Sequence, residues 1–223
     1  MLHVDEHIAV VDKPSGMLVH RGWANDRVVA MTEARNAVGR WVYPVHRLDR
    51  PTSGVLVFAL TKEAAASLSR AFRERLVKKR YVALTRGVTP EQGHIDHPVP
   101  RTTKGRRVDA VTDFIRLGVF ERFSLVEALP RTGRFHQIRR HLKHINHPLI
   151  GDVNYGRGEL NRMFRERFGF NRLALHALSL SFPHPGTGEE VVFEAPVTGD
   201  FRRLLETLRL VDALPAAAVG RGG

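Results

Sequence analysis

The chain has 223 residues, 43% of them hydrophobic, and carries 35 Lys and Arg against 23 Asp and Glu, a formal charge of +12. Such a length buries a real core, and so large a basic excess points to a polyanionic partner, because each neutralised phosphate releases condensed counterions; an inert basic surface has the same composition. The absence of cysteine excludes disulfides, thiol catalysis and thiolate metal sites, the charged start "MLHVDEHIAVVDK" is unlike a signal peptide, and no apolar run approaches the ~18 residues of a membrane helix, so a soluble, cytoplasmic protein is expected.

In chain order, "HIAVVDK" (7–13) reads as a strand stopped by the turn Pro14-Ser15-Gly16. "RVVAMTEARNAVG" reads as a helix closed by Gly39. The apolar run 55–60 reads as a buried strand, and "KEAAASLSRAFRERL" as an amphipathic helix with Ala65, Leu68, Phe72 and Leu76 on one face. "KRYVALTRG", "RVDAVTDFIRLGVF" and "RFSLVEALP" are β-rich. "RFHQIRRHLKHI" (134–145) aligns Phe135, Ile138, Leu142 and Ile145 at helical spacing, with its cations expected on the opposite face. A hairpin around "HPGTGE", a helix at "DFRRLLETLRL" and a frayed tail complete the chain. The pattern predicts an α+β fold with a mixed, largely antiparallel central sheet and flanking helices. One domain over 1–210 is expected, followed by a disordered tail at 211–223.

Three basic regions stand out. From 34 to 62 the only acid is Asp49, set between Arg47 and Arg50 in "HRLDRPTSG". Guanidinium neighbours favour the ionised carboxylate, which suits a nucleophile or an electrostatic stabiliser of a cation and disfavours a general acid. An Asp that closes its own turn is the alternative. The second region, "RTTKGRRVD", places Arg101, Lys104, Arg106 and Arg107 around Gly105, as a basic loop reaching for a phosphate backbone or as a solvated hairpin tip. The third, 128–151, has no acid and carries Arg131, Arg134, Arg139, Arg140 and Lys143; a helix with such a face fits beside a phosphate chain. The nearby His136, His141, His144 and His147 lack an acid to assist a metal-bound water, so no metal is expected. "YGRGELN" is neither a dinucleotide fingerprint nor a phosphate loop.

Taken together, "KPSG" (13–16), "HRLDRPTSG" (46–54), "KRY" (79–81), "RTGRFHQIRRH" (131–141), "HPLIGDVNYG" (147–156) and "LALHA" (173–177) resemble, in order, the motifs of the RluA family of pseudouridine synthases. The resemblance spans residues 2–205. It implies the pseudouridine synthase fold and an isomerisation in which the uracil N1–C1′ bond breaks, the base turns and C5 joins C1′, with no cofactor. By the same resemblance Asp49 is the catalytic carboxylate, attacking the ribose or acting at its 2′ position. Tyr81 stacks on the target base and helps remove the C5 proton, Arg134 pairs with Asp49, and Arg47 fills the space left by the flipped base. The implied RNA contacts comprise Arg47, Arg50, Lys104, Arg106, Arg107, Ile138, Arg139 and Arg140. The closest branch acts on tRNA, at a uridine of the acceptor/T-stem region, while related branches act on ribosomal RNA. With "KPSG" at residue 13, no separate N-terminal RNA-binding domain is expected, nor an obligate protein partner, and the chain is expected to be a monomer. Rivals from other classes are a non-catalytic RNA-binding protein that keeps the fold and a histidine- or metal-dependent nuclease.

Overall fold

The computed structural model describes residues 1–20, 28–103 and 105–219. In chain order its elements are β1 (His3–Val4), β2 (Ile8–Lys13), α1 (Ala30–Val38), β3 (Tyr43–Pro44), β4 (Ser53–Ala59), α2 (Lys62–Arg73), β5 (Lys78–Arg86), β6 (Gln92–Asp96), β7 (Val99–Pro100), β8 (Arg107–Val108), β9 (Val111–Phe120), β10 (Phe123–Pro130), α3 (Gln137–His144), α4 (Gly158–Phe168), β11 (Leu175–Pro183), β12 (Glu190–Glu194), α5 (Gly199–Thr207) and, after a 3-10 turn at Val211–Ala213, α6 (Ala216–Val219). The single domain expected over 1–210 consists of two compact units interleaved in sequence. Met1–Lys78 and Ala177–Ala195 form the first, and Lys79–His176 with the segment from Pro196 onward forms the second.

In the first unit the strand order is β1-β2-β4-β11, with β3 beside β4 and β12 beside β11. β2 runs antiparallel to β4, placing Lys13 opposite Gly54 and Val10 opposite Val57. All seven residues of β4 are buried, as its unbroken apolar run predicts. One face of this sheet, through Ile8, Val10, Val55 and Val57, packs with Ala64, Leu68 and Ala71 of α2. Thr61 starts α2 by accepting the Ala64 N–H at 3.0 Å, satisfying one of the donors a helix start leaves open. Leu76, expected on this helix face, is exposed: α2 ends at Arg73, and Arg75 takes a left-handed conformation (φ 61) that breaks the helical spacing.

Gly54, the second residue of β4, has φ +112, and a Cβ there would lie 2.1 Å from the main-chain oxygen of Ala177. Both the backbone conformation and the space require glycine. Gly54→Ala is therefore expected to destabilise the protein by about 3 kcal/mol or more, from positive-φ strain plus overpacking. An unchanged denaturation midpoint would contradict this.

In the second unit the order is β5-β10-β9-β6, antiparallel throughout, with β7 and β8 as a separate hairpin. A register shift between Leu125 and Val126 marks an irregularity where β10 meets β9. Ala83, Val126 and Ala128 of this sheet pack with Ile138 and Leu142 of α3 and with Leu149, Leu173 and Leu175. α3 begins three residues later than its apolar periodicity suggests, because His136 is left-handed (φ 52) at its N-terminal boundary. α4 is absent from the sequence-based pattern; it buries only Phe164, too little to produce a periodic stripe. The described part of the expected tail is folded: Leu214 and Ala218 are buried, and Val197 N–H donates to Ala218 O at 2.9 Å. Residues 220–223 lie outside the described residues. Among the described residues no helix is long and apolar enough to cross a membrane.

Candidate active site

Asp49 sits in the first unit, four residues before β4, on a turn that the chain ties down from several sides. Leu48 beneath it and Thr52 and Ser53 after it are buried, while Arg47 and Arg50 are exposed and Asp49 is half-buried. The turn is closed by Thr52 N–H donating to Asp49 main-chain O (3.0 Å). His46 stacks on Phe72 of α2, with ring centres 5.0 Å apart, and its Nε2 accepts the Val57 N–H at 3.1 Å.

The "KPSG" turn provides the other half of the support. Lys13 is 1% exposed, and its Nζ donates to the main-chain oxygens of Pro14 (2.9 Å), Met17 (2.8 Å) and Arg50 (3.3 Å). Ser15 Oγ donates to Pro51 O at 2.7 Å, Gly16 N–H to Arg50 O at 2.9 Å, and Arg50 Nε back to Gly16 O at 2.9 Å. A buried ammonium is tolerated because these carbonyls take the place of water. Their joint effect is to lock the two turns together at the point where the register sets Lys13 opposite Gly54. Replacing Lys13 by Met removes this donor from the Pro14 and Met17 carbonyls and leaves Arg50 O the Gly16 N–H, and a loss of about 2–3 kcal/mol of stability is expected. The Asp49 turn would then be held by Ser15, Gly16 and Arg50; an unchanged denaturation midpoint would argue against this clamp.

Tyr81 and Arg134 belong to the second unit. Tyr81 is half-buried on β5, paired with Ala128 of β10. Two residues earlier, Lys79 donates to Thr132 O at 2.9 Å. Burial, aided by the positive charge of Arg134, pushes Lys79 down to about 8. Arg134 is exposed and its Nε donates to Asp109 O at 3.2 Å. The loop carrying it is organised by buried Gln137. Its Oε1 accepts from Thr132 Oγ1 (2.7 Å) and Arg134 N–H (2.9 Å), and its Nε2 donates to Val111 O and Thr112 Oγ1, both at 2.9 Å. A buried amide with all these bonds made fixes one loop geometry.

The basic residues expected to face RNA divide into exposed and committed groups. Arg106 is exposed on the β7–β8 hairpin, whose strands meet at Pro100 and Arg107. Arg107 is exposed too, with Nη1 bonded to His97 Nε2 (3.0 Å) and donating to Pro98 O (2.8 Å). Lys104 lies outside the described residues. Ile138 is a core residue. Arg139 corrects the expectation that α3 turns its cations outward: its side chain is 4% exposed and makes a two-pronged ion pair with Asp152, both bonds 2.8 Å. The partner acid stands one residue beyond the acid-free stretch 128–151, so the spacing concealed it. Arg140 is half-buried, its guanidinium 5.0 Å from the Tyr155 ring and 5.6 Å from that of Phe135, and its Nε has no hydrogen-bond partner among the described residues.

Residues 7–144 match the family model described as RNA pseudouridylate synthase. The chain belongs to this family. Among RNA pseudouridylate synthases and their relatives, it is 38% identical to the tRNA pseudouridine synthase C of Vibrio parahaemolyticus over 227 residues, 92% of each chain. It is 40% identical to the protein of the same name from Haemophilus ducreyi, over 87% of this chain and 89% of that one. The solved structure of human RNA pseudouridylate synthase domain containing 4 superposes with a TM-score of 0.77 at 28% identity, covering 93% and 92% of the two chains. The expected pseudouridine synthase fold is thus observed. Reading this pseudouridylate synthase from its sequence missed what Lys13, Lys79 and Gln137 do. The available signal for Lys13 was its place just before a Pro-Ser-Gly turn, whose carbonyls have no strand partners; Gln137 carried none.

Proposed function

We propose that this pseudouridylate synthase isomerises a uridine of tRNA to pseudouridine, with Asp49 as the catalytic carboxylate. The observation that carries the substrate is the 38–40% identity, over about nine-tenths of both chains, to relatives named tRNA pseudouridine synthase C. Cleaving N1–C1′ leaves the sugar electron-poor, and an ionised carboxylate meets that charge either by attack or by electrostatic stabilisation. The freed uracil stays bound and turns, C5 bonds to C1′, the C5 proton leaves and N1 takes one up, so atoms balance without water or a second carboxylate. A single acid among cations suits such a reaction; a glycosidase uses two carboxylates.

In this reading Tyr81 stacks on the base and assists loss of the C5 proton, Arg134 supports the carboxylate, and exposed Arg47 takes the place of the extruded nucleotide. Arg106, Arg107 and Arg140 supply charge for the RNA backbone, while Arg50 also clips the Asp49 turn. Arg139 and Ile138 serve as structural residues. The test is incubation with tRNA transcripts tritiated at uracil C5, in excess chelator. Tritium release with a new pseudouridine mapped to one tRNA position is expected. Release from ribosomal RNA alone would overturn the tRNA assignment, and release from neither would overturn the activity.

A further inference from the structure

The first unit presents an aromatic group that neither its core nor the residues proposed for chemistry use. Trp41 is 56% exposed, although an indole carries a large apolar surface and is normally well covered. Its position is nonetheless fixed on both sides. Gly39 turns the chain at the end of α1 in a left-handed conformation (φ 68). Arg40 then donates from one guanidinium nitrogen to the main-chain oxygens of Asp5 (2.8 Å) and Glu6 (3.2 Å), and Val42 is buried at 1%. The backbone that carries the ring is therefore anchored on both sides while the ring stays uncovered, which lowers the conformational entropy lost when a ligand docks on it. Arg35, in the last turn of α1, sets its guanidinium carbon 5.7 Å from the centre of the indole. Arg35, Arg40 and Trp41 all lie in the stretch 34–62 whose only acid is Asp49.

We propose that Trp41 and Arg35 form a stacking platform for an unpaired base of the RNA substrate; this rests on the RNA-modifying reading above. A nucleotide is the ligand whose chemistry matches both groups. Its base offers a flat π-face to the indole and its phosphodiester offers negative charge to the guanidinium. Stacking tolerates any base, so the platform adds grip and register rather than sequence reading.

The experiment uses the full chain with Trp41→Ala, Trp41→Phe and Arg35→Ala, each checked for unaltered thermal unfolding, on the tRNA transcript that the unsubstituted protein modifies. Trp41→Ala is expected to raise KM by about 5- to 100-fold with kcat unchanged, as loss of one base–aromatic stack does. Trp41→Phe should stay within about threefold because it keeps a π-face, and Arg35→Ala should raise KM by about two- to fivefold. In a Trp23→Phe background, which leaves Trp41 as the sole tryptophan, a single-stranded oligoribonucleotide should quench the emission. An unchanged KM in Trp41→Ala, an equal loss in Trp41→Phe, or emission that RNA does not alter overturns the platform. If the unsubstituted protein modifies no RNA, the functional reading fails, and the quenching titration still decides whether RNA stacks on Trp41.

Discussion

Asp49→Asn is expected to bind tRNA within about threefold of the unsubstituted protein and to form pseudouridine about a thousandfold more slowly or not at all. Asparagine keeps the size and most of the hydrogen-bonding capacity of aspartate but not its charge. The turn that carries residue 49 is closed through the main-chain oxygen of Asp49 and held by Lys13, Ser15 and Arg50, so the substitution should leave its backbone in place. What disappears, under the proposed mechanism, is the carboxylate charge that meets the sugar as the glycosidic bond breaks. Binding is expected to survive because the phosphate contacts proposed for Arg47 and Arg50, both exposed, do not involve the residue 49 side chain. Single-turnover tritium release and filter binding, measured side by side, separate the two effects. More than a tenth of normal activity in this variant would show that the carboxylate is dispensable and Asp49 a turn residue.

Arg139→Ala and Asp152→Asn are each expected to cost about 3–5 kcal/mol of stability, because each strands a buried charge or buried donors without a partner. Arg139 and Asp152 are 4% and 0% exposed at the side chain. Asp152 Oδ1 also accepts the backbone N–H groups of Asn154 (2.9 Å) and Tyr155 (3.0 Å). Burial alone pushes the Asp152 carboxyl up. The Arg139 guanidinium and those backbone donors outweigh burial and hold it below the usual carboxylate range. The folded-state value is thus below the unfolded one of about 4. The pair's contribution is present in full above that value and is lost as pH falls through the lower folded value. Chemical denaturation at neutral and at acidic pH checks this. The variants should differ from the unsubstituted protein by less in acid, and an equal difference at both pH values would contradict it.

The sequence by itself determined the elements that local rules control and singled out Asp49 as the candidate acid. β4 announced itself by an unbroken apolar run, α1 by its closing Gly39, and α2 by its period. Asp49 stood out because it is the only acid in a 29-residue basic stretch (34–62). The extent of α2 and α3 was less legible, because Arg75 and His136 adopt left-handed conformations, which are uncommon for any non-glycine residue and carry no periodic signal. α4 escaped because a helix burying one phenylalanine leaves no stripe to detect. Only the tertiary structure decided which cations are free to meet a phosphate. Arg139, Arg140 and Lys143 look alike in sequence, yet Arg139 is buried against Asp152, Arg140 lies beside two aromatic rings and Lys143 is exposed. Lys13 likewise reads as a surface lysine until three carbonyls converge on its ammonium. The physical reason is the same for both residues: hydrophobic periodicity reports which face of an element is apolar, whereas the fate of a charge depends on partners that the fold alone brings within hydrogen-bond reach.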